Sequence, residues 1–172
     1  MTIHASNPFA TPEGNRSPIR RLRGRLPAPV TIWTAGAGPH AAGLTVSSVL
    51  VADGDPGRIA GIIDEESDLW EAMQSSGRAA ITLLHQGEHL LADRMAGILP
   101  TPGGRFAEGE WVATPYGPVP AHANTWAGVI LDGSRPFGYG LLVEVTIDQI
   151  TVPEDPARPL IHVRGRYRDL SG

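Results

Sequence analysis

Residues 38–48 read GPHAAGLTVSS. A Gly-Pro turn runs into a β-prone segment carrying three hydroxyls, Thr45, Ser47 and Ser48, small groups able to donate to phosphate oxygens while leaving room for a planar ring. With the residues just before it, Gly36-Ala-Gly38-Pro-His-Ala41, the stretch imitates the opening of a dinucleotide-binding turn. That fingerprint must lead into a helix whose N-terminus faces a pyrophosphate. Here Pro39 and then LTVSSVLV predict a second strand, so the turn joins two antiparallel strands and the chain is not doubly wound.

The same reading extends outward. Strands are predicted over 30–34, 43–52, 58–64, 79–85, 125–131, 139–150 and 160–166, separated by the turns GAGP (36–39), DGDPG (53–57) and DGSRPFG (132–138). Two segments carry helical spacing. Over 67–76, Leu69, Trp70 and Met73 share a face behind a start capped by Ser67 or Asp68. Over 87–96, Leu90, Leu91, Arg94 and Met95 give a mixed face with Gly97 suited to end the helix. The expectation is mainly β: a split, Greek-key-like antiparallel barrel of about six or seven strands with two short helices. The Pro/Gly-rich stretch 99–121 is expected to run over the surface or across a partner.

Composition agrees. The 21 glycines and 16 prolines are about a fifth of the 172 residues, too many for a helical bundle. This length suits one domain burying roughly 70% of the surface its unfolded chain exposes. Residues 1–19 read as a flexible extension and 20–170 as the domain. The basic cluster Arg20, Arg21, Arg23 and Arg25 reads as a solvated first turn or strand edge. A net charge of −4 gives no field for nucleic acid or an anionic membrane. The absence of cysteine excludes disulfides, thiolate metal sites and a cysteine nucleophile, and agrees with a reducing compartment. No apolar run reaches the ~20 residues of a membrane span, and Met1–Pro12 lacks the order of a secretory signal. A cytoplasmic protein is expected.

His85-Gln-Gly-Glu88-His89 matches the H-x-x-E-H pattern of inverted zinc proteases. Gly87 interrupts the helix that would align the imidazoles, and a third ligand (Glu154 or His122) is not compelling, so no metal is expected. No serine sits in a G-x-S-x-G elbow. The tryptophans at 33, 70, 111 and 126 are spread along the chain as core or interface residues.

In order, HAAGLTVSS (40–48), RIAGIIDEESDLWEAM (58–73), GRAAITLL (77–84), HLLADRMAG (89–97), GGRFAEGEW (103–111) and LIHVRGRYRDL (160–170) resemble the flavin reductase-like family, whose fold is the FMN-binding split β-barrel. The D-x-x-S-D-L segment is similar to an actinobacterial branch. The resemblance implies a homodimer binding FMN or FAD at the subunit boundary, with NAD(P)H as cosubstrate and a flavin-dependent monooxygenase as a possible partner. Thr45, Val46, Ser47 and Ser48 would line the flavin. Asp64 and Ser67 belong to the segment that would hold the phosphate at a helix N-terminus. Arg105 and Phe106 match a basic–aromatic pair, the guanidinium facing phosphate oxygens. His162, Arg164 and Tyr167 fall on the strand implied to lie near the nicotinamide or flavin ring.

Two departures accompany the likeness. Members often carry basic residues beside the phosphate-site serine, whereas this chain reads Asp64-Glu65-Glu66-Ser67-Asp68. A Gly-Asp-His triplet is replaced by Gly133-Ser134-Arg135, and Arg135 suits the phosphate of NAD(P)H rather than the role of the histidine. The function implied is an NAD(P)H:flavin reductase. The alternatives are a module that holds flavin or a related ring without turnover, or a vacant dimerisation domain.

Overall fold

The computed structural model describes residues 17–155 and 157–170. Its centre is an antiparallel sheet of seven strands: β2 (Thr31–Ala35), β3 (Ala42–Val46), β4 (Val49–Ala52), β5 (Arg58–Ile63), β6 (Arg78–Leu83), β9 (Trp126–Phe137) and β10 (Gly140–Thr151). Their order is β3-β2-β6-β9-β10-β5-β4, and the sheet curls until β3 and β5 approach each other. This is the expected split barrel. Helix α2 (Asp68–Ser76) packs against β2 and β3, and α3 (His89–Met95) packs mainly on β3.

Strand β2 shows why the chain folds this way. All five residues, TIWTA, are buried because both faces of the strand are covered. Trp33 enters one core with Leu69, Met73, Val129 and Val143, while Ile32 enters a second with Leu84, Met95 and Leu160. Its polar groups are satisfied: the Thr31 hydroxyl donates to the Val46 carbonyl at 2.5 Å and accepts from the Trp33 indole at 3.1 Å. Gly61 of β5 lies under the Trp33 ring, where a Cβ would come within 2.7 Å of Cζ2.

Several predicted boundaries move. The 43–52 segment is two strands, β3 and β4, parted at Ser47-Ser48. The DGSRPFG segment is not a turn. It continues β9 past its last pair with β6, paired on one side to β10, and the chain reverses at Gly138-Tyr139. Because residues 131–137 have a ladder on one side only, Pro136 needs no N–H there. The 160–166 segment is half of a hairpin, β11 (Ile161–Val163) and β12 (Arg166–Arg168), reversing at Arg164-Gly165, both with positive φ, and β11 also pairs with the short strand β1 (Ala28–Pro29).

Three α-helices, not two, occur among the described residues. The third, α1 (Pro18–Arg25), forms on the basic cluster predicted as a first turn or strand edge. The Ser17 hydroxyl accepts from the Arg20 amide at 3.3 Å and Pro18 occupies the first turn. Of the predicted extension over 1–19, residues 1–16 lie outside the described residues, Ser17 caps α1, and Pro18 and Ile19 belong to that helix. Within 99–121, the short ribbon β7 (Trp111–Val112) and β8 (Val119–Pro120) tucks Tyr116 and Val119 into a third core cluster.

Candidate functional site

The cavity of interest, about 760 Å³, lies between the Gly38-Pro39 turn, the start of β3, the N-terminus of α2 and the loop 101–107. Each wall has a local cause. The turn before β3 bends at Gly36 and Gly38, both with positive φ. Helix α2 begins at Ser67, whose hydroxyl donates to the Asp64 carbonyl at 2.6 Å and accepts from the Trp70 amide at 3.2 Å. The Asp64 carboxylate accepts from the Glu66 amide at 3.0 Å, so the acidic run is a structured turn into the helix.

The loop 101–107 is fastened by Arg105. Its Nη1 donates to the Gly43 carbonyl of β3 at 2.7 Å and to the Met95 carbonyl at the end of α3 at 2.5 Å. Phe106 stands edge-on to Trp111, ring centroids 4.8 Å apart. Helix α3 ends in a Schellman motif, with Gly97 N–H on the Arg94 carbonyl and Ile98 N–H on the Asp93 carbonyl, so the Gly97 expectation is met.

Of the residues read from the sequence, Asp64, Ser67, Arg105 and Phe106 come together on this cavity. The Thr45–Ser48 segment does not line it. Thr45 donates to the Ala92 carbonyl of α3 at 2.5 Å, Val46 is core, and Ser48 is exposed with its carbonyl accepting from Ile62 N–H. The strand is the expected one, but its earlier residues Ala42, Gly43 and Leu44 face the cavity. Sequence reading also missed Gly103 and Gly104, whose positive φ values of 83° and 103° shape the loop. Their adjacency was the available signal.

His162 and Tyr167 are neighbours elsewhere, ring centroids 5.5 Å apart, between β11–β12 and α3. The Tyr167 hydroxyl donates to the Asp93 carboxylate at 2.7 Å; burial, then that bond, push its pKa well above the ordinary value. Burial holds the His162 imidazole below its ordinary value, with Arg23 adding to the effect and Asp93 opposing it. Arg164 sits in the hairpin turn, its amide on the Gly24 carbonyl. Arg135 is exposed near the far end of the β9–β10 hairpin, over the Phe137 ring. None of these four lines the cavity.

The H-x-x-E-H residues do not share one helix: His85 precedes α3 and His89 begins it. Glu88 sits between His85 and His122, at 3.6 Å and 2.5 Å, and its carboxylate also accepts from the His85 amide. No group of three or more such side chains among the described residues is arranged to hold a metal.

The curled antiparallel half-barrel thus carries a cleft whose lining combines small residues of β3 with one aromatic and one guanidinium. Residues 23–171 match the flavin reductase like domain, and the chain belongs to that family. It is 29% identical over 161 residues to the NADH-dependent FMN reductase AsuE2 of Streptomyces nodosus subsp. asukaensis, covering 92% of this chain and 86% of that protein. The fold is shared with the flavin reductase PheA2 in its native state, at a TM-score of 0.79 and 21% identity, over 90% of this chain and 97% of that one. It is shared equally with nitrilotriacetate monooxygenase component B of Mycobacterium thermoresistibile, at a TM-score of 0.79 and 24% identity, over 89% and 85% of the two chains.

Proposed function

We propose that this chain is a homodimeric NADH:flavin oxidoreductase that takes FMN or FAD in the cleft beside α2 and passes reduced flavin to a separate oxygenase. The cleft carries the reading. Its volume suits a drug-sized ring system, and Ala41, Ala42 and Gly43 keep the wall at the start of β3 low, with Leu44 as its one larger apolar side chain. When bound, the flavin accepts hydride from the nicotinamide, and the protein supplies only position and electrostatics. The β3 edge and the Arg105-fastened loop hold the ring from two sides, and Phe106 offers an apolar contact.

Exposed apolar residues support the dimer: Leu50 and Val51 on the edge strand, Phe137 and Tyr139 at the hairpin end, and Ile19 and Leu22 on α1. An oxygenase partner is supported by the likeness to a monooxygenase component. No helix among the described residues is long and apolar enough to cross a membrane.

The test is NADH and NADPH consumption by purified protein with added FMN or FAD, alongside light scattering. Flavin-dependent NADH oxidation by a dimer is expected. A folded protein that neither binds flavin nor consumes NADH overturns the reading.

A further inference from the structure

The sheet has an outer face that the cleft does not use. Side chains alternate along its strands: Ile63, Leu141, Val143 and Val145 enter the core, so Ile62, Leu142 and Glu144 point the other way. The register then sets rows across the strands. Ile62 stands beside Leu142 and Leu142 beside Arg135; in the next row Ala60, Glu144 and Gly133 are neighbours. Leu50 of β4 extends the second row through Ala60, and Phe137 follows Arg135 on the same face of β9. Leu50, Ile62 and Phe137 are exposed and Leu142 is half-buried, whereas α2 and α3 pack on β2, β3 and β6.

Two charges sit inside this apolar face. The ion pairs among the described residues are Arg58–Asp132, His85–Glu88, Arg94–Glu108 and His122–Glu88, so neither Arg135 nor Glu144 has a counter-ion there. Arg135 lies over the Phe137 ring instead, 5.4 Å from its centroid. Arg135 and Glu144 occupy one diagonal of a four-residue patch whose other diagonal is Leu142 and Gly133. Such a patch is complementary to itself. A two-fold axis lying along the Leu142–Gly133 diagonal brings each Arg135 opposite Glu144 of a second copy and sets Leu142 against Leu142. Gly133, where a Cβ would meet nothing within 4 Å, then allows close approach. We propose that this face of β4, β5, β9 and β10 is the homodimer interface, closed by two symmetric Arg135–Glu144 ion pairs. The proposal rests on the homodimer reading above and names its surface and its contact. It assigns Arg135 to the second subunit and not to the phosphate of NAD(P)H. Because β5 leads from Ile62 through Ile63 into Asp64, the interface ends beside the cleft.

The experiment measures the dimer dissociation constant by light scattering over a dilution series. It compares the wild-type chain, Arg135→Glu, Glu144→Arg and the double variant Arg135→Glu/Glu144→Arg, with circular dichroism to show that each folds. Each single reversal places two like-charged pairs across the axis and is expected to raise Kd at least about tenfold. The double variant restores opposite charges and is expected to regain most of that loss. Single reversals that leave a dimeric wild type's Kd within about threefold, or a folded double variant that regains nothing, overturn the interface and leave the homodimer reading standing. A wild-type chain that is monomeric throughout overturns the homodimer reading and the interface with it.

Discussion

Replacing Arg105 with alanine separates a phosphate contact from a wall-building contact. The side chain joins three elements through one nitrogen: the loop that carries it, β3 at Gly43 and the end of α3 at Met95. Hydrogen bonds to a charged donor contribute about 1.5–3 kcal/mol each. The group is only half-buried, so water recovers part of both, and about 2 kcal/mol is a fair total. For a protein of this size that is a fall in Tm of roughly 4–8 °C. The loop also forms one wall of the cleft, so its release weakens every flavin, with or without phosphate. Arg105→Ala is therefore expected to melt earlier and to lose about tenfold in affinity for riboflavin and FMN alike. Arg105→Lys keeps the charge but replaces the rigid guanidinium fork with a flexible ammonium, and is expected to recover only part of the loss. Melting curves and paired flavin titrations provide the test. An unchanged Tm together with a loss confined to FMN would show that Arg105 serves the phosphate and not the loop, and would refute this reasoning.

Gly61→Ala would place a Cβ within 2.7 Å and 2.9 Å of two Trp33 ring atoms, and a central core tryptophan cannot withdraw freely. A loss of about 1–3 kcal/mol in denaturant unfolding is expected, and an unaltered midpoint would mean that Trp33 has room to shift. The lowered pKa of His162 predicts acid sensitivity. As pH falls through the ordinary value of about 6.5, the unfolded chain takes up the proton before the folded one, so stability present above that pH is lost below it. His162→Gln is expected to flatten that limb of the stability–pH curve between about pH 7 and 5, and an identical slope in the variant would exclude the imidazole as its source.

The fold was legible because its signals are local. Gly36, Gly38 and Pro39 force a turn, and the β-prone residues after them cannot open a nucleotide-binding helix. Ser67 caps α2 through its hydroxyl, and Gly97 closes α3 because, lacking a side chain, it takes a positive φ freely. The boundaries that moved depend on what lies alongside. DGSRPFG has the composition of a turn, yet Gly133 to Phe137 pair antiparallel with Glu144 back to Gly140 of β10. Nothing within those seven residues records that partner. The basic cluster is ambiguous for a similar reason: α1 buries none of its residues, so no apolar stripe facing a core announced it.

The site divides along the same line. Asp64, Ser67, Arg105 and Phe106 were found because a helix start and a basic–aromatic pair are short-range features, and the fold brings them to one cleft. The hydroxyls of 45–48 were expected there because small donors on a strand suit an anion. Their composition does not say which part of the strand faces inward. In the folded chain α3 crosses β3 and takes the Thr45 hydroxyl for its own Ala92 carbonyl, leaving the apolar start of the strand to the cleft. The consequence is chemical as well as geometric. A wall of Ala42 and Gly43 admits a flat ring closely, whereas a wall of serines would have offered phosphate donors. At the rim stand the exposed carboxylates of Asp64, Glu66 and Asp68, beside the first turn of α2.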